Sequence, residues 1–253
     1  MKKEAFKKFY RYLGKLFFPE NLTCDCCGAE LVFPTRYNLC SKCMADTVFT
    51  EGKVCKSCGV PLDNEADYCL NCSGKGRGLV FNRSAVVYKG TAVKLIGALK
   101  FGGKRYIARL MGAMLADRFL DAGTAADALC FVPMTAKEKK ARGFNQAELI
   151  AKNLADRLNI PLCDCLVKIR ETAFQKELSG KERRENLNGA FAVKPGVSLS
   201  GKKIVLVDDV FTTGATADAC ASALKKARAA EISSLTFAVT AYQSYGETEE
   251  KPQ

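Results

Sequence analysis

Apolar residues change their spacing along the chain, and the change divides it. Between Val80 and Thr240, the runs SAVVY, ALCFVP, KIVLVDD and SSLTFAVT are short, continuous and rich in Val, Leu and Phe, which predicts buried strands. Between these runs the apolar positions recur every three or four residues. Tyr106, Ile107, Leu110, Met111, Met114, Leu115 and Phe119 form one stripe; Phe144, Ala147, Ile150, Ala151, Leu154 and Leu158 form another. Both predict amphipathic helices. Strands alternating with helices predict an α/β fold with a parallel sheet flanked by helices, here over residues 80–243. At the amino terminus, Phe6, Tyr10, Leu13 and Phe17 line one face of a lysine-studded stretch, predicting a basic amphipathic helix within 1–22. Such a helix suits a membrane surface or nucleic acid. The plainer alternative, a basic-faced helix packed on its own protein, is the one that periodicity alone favours. Residues 244–253 read as a polar tail.

Residues 23–73 hold few aliphatics and cannot build much of a core. They hold eight cysteines instead, as four C-x-x-C pairs: Cys24/Cys27, Cys40/Cys43, Cys55/Cys58 and Cys69/Cys72. A C-x-x-C turn sets two sulfurs at tetrahedral spacing, and two such turns close a four-thiolate site. Eight cysteines therefore fit two structural zinc ions, with sequential pairing the simplest and an interleaved arrangement the alternative. Redox-active or disulfide-bonded cysteines are the competing reading. Gly28 and Gly59 follow the second cysteine of two pairs, as in knuckles whose backbone amides turn toward sulfur. Cys26 reads as a bystander, and Cys130, Cys163, Cys165 and Cys220 as buried thiols. SGKGRG, from Ser73 to Gly78, predicts a flexible basic linker.

The string IVLVDDVFTTGATADAC, from Ile204 to Cys220, is a buried strand with two carboxylates at its end, a Thr/Gly turn, and a helix starting near Ala215. Amides of Thr213, Gly214, Ala215 and Thr216 at such a helix start form a nest for a phosphate monoester, and the hydroxyls of Thr212, Thr213 and Thr216 add to it. Asp208 and Asp209 repel phosphate and suit vicinal hydroxyls or a magnesium ion at the carboxyl end of the strand. The loop reads as a ribose-5-phosphate cradle. A capped strand-to-helix connection with no ligand is the plain alternative.

Composition narrows the chemistry. The 253 residues include no histidine, which excludes imidazole catalysis and His-ligated zinc. A net charge of +12 favours partners that carry phosphate. No apolar run approaches the roughly 18 residues of a membrane helix, and no signal peptide is read. The expected location is cytoplasmic.

The string around Asp208 and Asp209 resembles the phosphoribosyl-pyrophosphate signature of type I phosphoribosyltransferases. VPMTAKEKKARGFNQAELIA, from Val132 to Ala151, is similar to the pyrophosphate-loop region of that superfamily, notably in glutamine phosphoribosyl-pyrophosphate amidotransferase. IRETAFQKELSGKERRENLNGAF, from Ile169 to Phe191, resembles its mobile loop. With the cysteine pairs, ALKFGGK, RGFNQA and RETAFQKELS in this order, the chain resembles the ComF family, named for bacterial natural competence, from about Cys24 to Thr240.

The resemblance implies a double zinc ribbon followed by a type I phosphoribosyltransferase domain. It implies magnesium-dependent binding of phosphoribosyl pyrophosphate and transfer of the phosphoribosyl group to an unnamed acceptor. By it, Asp208 and Asp209 hold the ribose hydroxyls, directly or through magnesium, and Thr212, Thr213, Gly214, Ala215 and Thr216 hold the 5-phosphate. Arg142 and the amides of Met134, Thr135 and Ala136 would take the pyrophosphate, with Lys137, Lys139 and Lys140 nearby. Of these, Lys139 and Lys140, like Arg184, are better read as solvated surface. Arg170, Thr172, Gln175 and Lys176 would arrive with the mobile loop, anchored by Arg183. Lys100 has no assigned role. The chain lacks a cysteine after Met1 and a glutaminase domain, so ammonia is not expected to be made in cis. The competing implication is a non-catalytic zinc-containing competence factor that binds single-stranded DNA beside a helicase, its transferase fold sensing or vestigial.

Overall fold

The computed structural model describes residues 22–74, 76, 78–171 and 186–241. The predicted amino-terminal helix lies outside the described residues apart from Leu22, and so does the tail. Two compact units are present, Met1–Asp46 and Thr47–Gln253. Their boundary falls inside the stretch 23–73 that the cysteine spacing groups together.

The first unit is a single cysteine knuckle. A bridge between Thr23 and Glu30 closes the Cys24–Cys27 turn, and the Cys24 amide bonds the Ala29 carbonyl at 2.7 Å. Asn38 stands at φ +55°, a left-handed conformation that asparagine tolerates. From there its Nδ2 reaches the Thr23 carbonyl at 3.1 Å and Asp25 at 2.7 Å. Helix α1, Ser41–Ala45, presents Cys43 inward. The buried apolar set among the described residues is Cys24, Tyr37, Leu39 and Cys43, too little to hold 25 residues without a metal.

The second unit is built on a parallel sheet of order β1-β6-β5-β2, comprising β1 Asn82–Val87, β2 Ala128–Phe131, β5 Lys203–Phe211 and β6 Glu231–Val239. The four apolar runs all became strands. Helices α3, Ile107–Asp121, and α5, Gln146–Leu158, bury the two predicted stripes, leaving Tyr106 exposed and Leu158 half-buried at their ends. These two helices cross so closely at Gly112 that a Cβ there would stand 2.8 Å from the Asn153 Cβ. Helix α2, Thr91–Lys100, precedes α3, the short helix α4, Ala136–Arg142, precedes α5, and α6, Ala215–Lys226, covers the opposite face of the sheet. An antiparallel pair, β3 Leu166–Lys168 with β4 Phe191–Val193, packs against α6. Three residues per strand are too few to show alternation, so this pair leaves no mark in the hydrophobic pattern.

The second cysteine knuckle is part of this unit. Cys55, Cys58, Val60, Cys72 and Leu79 share one buried cluster with the strand and α6 residues Leu206, Ile204, Cys220 and Leu224. Of the predicted linker, Ser73, Gly74 and Gly76 are exposed, and packing resumes at its end: Gly78 lies against Ala221, Leu79 is buried and the Val80 amide bonds the Ile232 carbonyl at 2.8 Å. Lys75 and Arg77 lie outside the described residues.

Candidate functional site

The eight paired cysteines come together as Cys24, Cys27, Cys40 and Cys43 in one site and Cys55, Cys58, Cys69 and Cys72 in the other. The sequential pairing is therefore the one adopted. Within each site the four sulfurs lie within 4.8 Å of one another, and Cys27–Cys40 and Cys58–Cys69 are each 3.7 Å apart. A tetrahedral zinc with bonds of about 2.3 Å needs sulfurs about 3.8 Å apart, so both donor sets fit. Four thiolates cannot share so small a space without a cation. A hydrogen bond with Cys72 and burial each push the Cys58 thiol upward in pKa. Gly28 and Gly59 stand at φ +77° and +75°, as the knuckle turns require. Their amides bond the carbonyls of Cys24 and Cys55 rather than sulfur; an amide that does reach sulfur is that of Cys69, 3.4 Å from Cys55 Sγ. A zinc ion held by all four cysteines of either set would be structural and would keep no open position for substrate.

The second candidate region lies at the carboxyl end of β5. The strand runs two residues past the carboxylates, to Phe211, before the Thr212–Gly214 turn. Gly214 adopts φ +82° and caps α6 with no side-chain hydrogen bond of its own, while Thr213 Oγ1 accepts from the Ala215 amide at 3.4 Å. The first amides of α6, those of Ala215 to Ala217, have no helical carbonyl to bond and sit at the positive end of a 12-residue dipole. Beneath them lies an open recess lined by Asp208, Thr212, Gly214, Thr216, Ser234 and Thr236, among others.

Asp208 and Asp209 are consecutive on a strand, so their side chains leave on opposite faces. Asp208 faces the recess. Asp209 turns toward the other side, where Lys100 at the end of α2 forms an ion pair with it and Gln146 Nε2 donates to it at 3.5 Å. Gln146 in turn accepts from Arg142 at 2.7 Å, and the Arg142 guanidinium lies 5.9 Å from the Phe101 ring centroid. The two carboxylates are unlike in charge as well. Burial, then the neighbouring Asp209 charge, holds the Asp208 carboxyl well above the usual carboxylate range. Burial acts the same way on Asp209, but the Lys100 ammonium outweighs it and holds Asp209 below that range. Asp208 therefore holds its proton more tightly than an ordinary aspartate, and Asp209, beside the lysine, less tightly.

Asp208, Thr212, Gly214 and Thr216 thus share one recess, and Asp209, Gln146 and Arg142 form one chain of contacts on the other side. The stretch Met134–Ala136 is arranged differently from a set of open amides. The Thr135 amide donates to Glu138 at 2.7 Å and Thr135 Oγ1 accepts from the Glu138 amide at 3.1 Å, a reciprocal cap on α4. Lys168 holds the same Glu138 at 2.8 Å. Lys137 and Lys139 form exposed pairs with Glu171 and Glu148, and Lys140 is exposed. Arg170 Nη2 donates to the carbonyls of Asn186 and Asn188 at 2.9 and 2.8 Å. Thr172, Gln175, Lys176, Arg183 and Arg184 lie outside the described residues. Sequence reasoning left Lys100 without a role and missed Gln146, although both lie within the strings ALKFGGK and RGFNQA.

Residues 145–252 match the phosphoribosyl transferase domain family, and residues 13–73 match the double zinc ribbon domain family. Competence protein F of Haemophilus influenzae is 29% identical over 221 residues, covering 84% of this chain and 94% of that protein. Competence protein ComFC of Bacillus subtilis is 27% identical over 207 residues, covering 79% and 83%. Over most of its length this chain is similar to the competence proteins of the ComF family. Another relative is the DNA utilization protein YhgH of Escherichia coli K12, 29% identical over 203 residues with 78% and 88% covered. The two family matches join a type I phosphoribosyltransferase fold to a double zinc ribbon. Among solved structures, the B. subtilis glutamine phosphoribosylpyrophosphate amidotransferase complexed with ADP and GMP aligns at 23% identity and a TM-score of 0.38. That alignment covers 53% of this chain and about a quarter, 26%, of the amidotransferase. No helix among its described residues is long and apolar enough to cross a membrane.

Proposed function

We propose that this protein is a ComF-type protein that binds phosphoribosyl pyrophosphate with magnesium and transfers its phosphoribosyl group to an acceptor, in the cytoplasm and in the service of DNA uptake. The observation that carries this reading is the loop from Asp208 to Thr216: two consecutive carboxylates at a strand end, joined by a Thr/Gly turn to the amino terminus of a long helix. The 5-phosphate would lie on the amides of Ala215 to Ala217 with hydroxyls of Thr212, Thr213 and Thr216. The ribose hydroxyls would meet Asp208 and Asp209. Arg142, already aligned by Gln146, would hold the pyrophosphate. For that group to draw on Thr135, Glu138 would have to release the amide it now accepts from.

Displacing pyrophosphate from the sugar carbon passes through an oxocarbenium-like state. The demand on the protein is to hold negative charge on the leaving group while the sugar becomes cationic. Ionised Asp209 supplies negative charge near the sugar and Arg142 positive charge near the leaving group, so no histidine or covalent nucleophile is required. Asp208 and Asp209 are the residues that would hold magnesium, Asp209 only on releasing Lys100, and the ion would neutralise pyrophosphate charge.

Isothermal titration of phosphoribosyl pyrophosphate, with and without magnesium, tests the reading on wild type and Asp209→Ala. Magnesium-dependent binding lost in the variant is the expected result. No binding by folded, zinc-loaded wild type would refute it. A second reading draws on the +12 charge and on the DNA-related names of the relatives: a single-stranded-DNA-binding competence factor that works with a helicase and does no chemistry. Salt-dependent binding of single-stranded DNA that survives loss of both aspartates would favour it.

A further inference from the structure

Between the edge strand β1 and its neighbour β6, the sheet buries polar side chains where apolar ones would need no partner. Asn82, Ser84, Ser234 and Thr236 are each at most 1% exposed. Each would cost about 1–3 kcal/mol if left unpaired in such a place. They share one sheet face, because they alternate along β1 and β6 and the register sets Asn82 beside Ser234 and Ser84 beside Thr236. The next strand continues both rows: Leu206 beside Ser234, and Asp208 beside Thr236.

Their hydrogen bonds close a ring. Asn82 Nδ2 donates to Ser84 Oγ at 3.0 Å. Ser84 and Thr236 hydroxyls meet at 2.7 Å, and Thr236 Oγ1 donates back to Asn82 Oδ1 at 3.3 Å. Ser234 Oγ donates to the same Oδ1 at 2.8 Å. The other Nδ2 hydrogen leaves the ring and donates to the carbonyl of Cys58 at 2.8 Å. Both donors and both acceptor positions of the amide are thereby used, so its orientation is fixed. The backbone repeats the connection, since the Asn82 amide bonds the Ser57 carbonyl at 2.7 Å. Gly59 permits the approach, because a Cβ there would stand 2.7 Å from the Asn82 carbonyl oxygen. At the far end, Ser234 and Thr236 line the recess that Asp208, Thr212 and Thr216 also line.

We propose that Asn82 is a positioning residue that couples the second cysteine site to the recess beneath the β5–α6 loop, so that order at Cys55–Cys72 is transmitted to Asp208 and its neighbours. Only the ligand readout below rests on the loop being a phosphoribosyl-pyrophosphate site; the coupling itself does not. The first cysteine site contains no residue of this ring, and its loss leaves the recess unchanged.

The test uses the full-length, zinc-loaded protein and three variants: Asn82→Leu, Ser84→Ala, and Cys24→Ser/Cys27→Ser. Amide hydrogen exchange is followed over 206–217, with α3 and α5 as internal references, alongside zinc release to a chelator. Removing a side chain that orients metal ligands changes metal affinity by about 10- to 100-fold, so zinc release from one site and exchange over 206–217 should both rise by about that factor in Asn82→Leu, with α3 and α5 unchanged. Ser84→Ala should loosen 206–217 while zinc release stays as in wild type. The Cys24→Ser/Cys27→Ser protein should exchange like wild type over 206–217. An equal rise across all segments, or faster zinc release with 206–217 unmoved, would overturn the proposal. Should Asn82→Leu fail to fold, Ser84→Ala decides alone: unchanged exchange over 206–217 overturns the coupling. Titration with phosphoribosyl pyrophosphate adds a second readout, weaker by about tenfold in Asn82→Leu. A wild type that binds none of it refutes the proposed function but leaves the exchange result standing.

Discussion

Replacing Lys100 by methionine keeps the aliphatic stem and removes the charge that faces Asp209. Lys100 is 22% exposed and Asp209 6%, so the partner left behind is a buried carboxylate. Breaking a buried pair from one side costs about 3–5 kcal/mol, and the partial exposure of Lys100 places this case near the lower end, about 3 kcal/mol. For a unit of this size that is a fall of about 6–12 °C in Tm. The pH dependence separates electrostatics from packing. In wild type, Lys100 holds Asp209 below the usual range, so its contribution is present above the unfolded pKa of about 3.9 and is lost only as pH falls through the lower folded value. In the variant, burial acts unopposed and raises Asp209, so ionising it opposes folding at neutral pH and protonation relieves the penalty. Denaturant titrations of both proteins at pH 8, 7, 6 and 5.5, with zinc in excess because protons compete for thiolates, should show the deficit shrinking as pH falls. Adding Asp209→Asn to Lys100→Met should recover most of it. A deficit that is constant from pH 8 to 5.5, or absent, would refute the assignment of Lys100 as the counter-charge.

Other consequences can be measured directly. Gly112→Ala should destabilise by about 1–3 kcal/mol, because its Cβ would also approach the Leu154 amide nitrogen to 3.1 Å; the denaturant midpoint reports it. Gly214→Ala forces an L side chain into φ +82° and should cost about 1–2 kcal/mol while weakening phosphoribosyl-pyrophosphate binding, read by melting and titration on the same sample. Metal analysis should find two zinc ions per chain, falling to one in Cys24→Ser/Cys27→Ser with α3 and α5 still protected from exchange.

The four strands of the sheet and the stripes of α3 and α5 were legible because a two-sided buried sheet needs continuous apolar runs and its covering helices need one apolar face. The cysteine sites were legible because C-x-x-C spacing is itself the geometry of two ligands. The ion pair of Lys100 with Asp209 was not, since nothing local in ALKFGGK says what a lysine at a helix end will meet 109 positions later. Glu138 is a similar case: its pattern with Thr135 is a visible capping box, but Lys168 reaches it from a strand too short to predict. Asn82, Ser84, Ser234 and Thr236 did leave a trace. They alternate along β1 and β6, but Arg83 and Ser233 beside them are polar too, which blurs the pattern in the sequence.

The place of β1 in the sheet has a consequence for how the protein is made. Its partner β6 comes from the far end of the chain; Ser84 and Thr236, which touch, are 152 residues apart. At roughly 5–20 residues per second, β1 leaves the ribosome on the order of ten seconds before β6 exists, a strand whose unpaired backbone edge can recruit other chains. The residues synthesised just before it supply cover. The Val87 amide bonds the Val48 carbonyl, Thr50 bonds Ala85, and Asn82 bonds Ser57 in the second knuckle. A metal-closed knuckle can form while β5 and β6 are still being translated, giving β1 a partner during the wait. Zinc available during synthesis, rather than zinc added afterwards, should therefore set the yield of correctly folded protein.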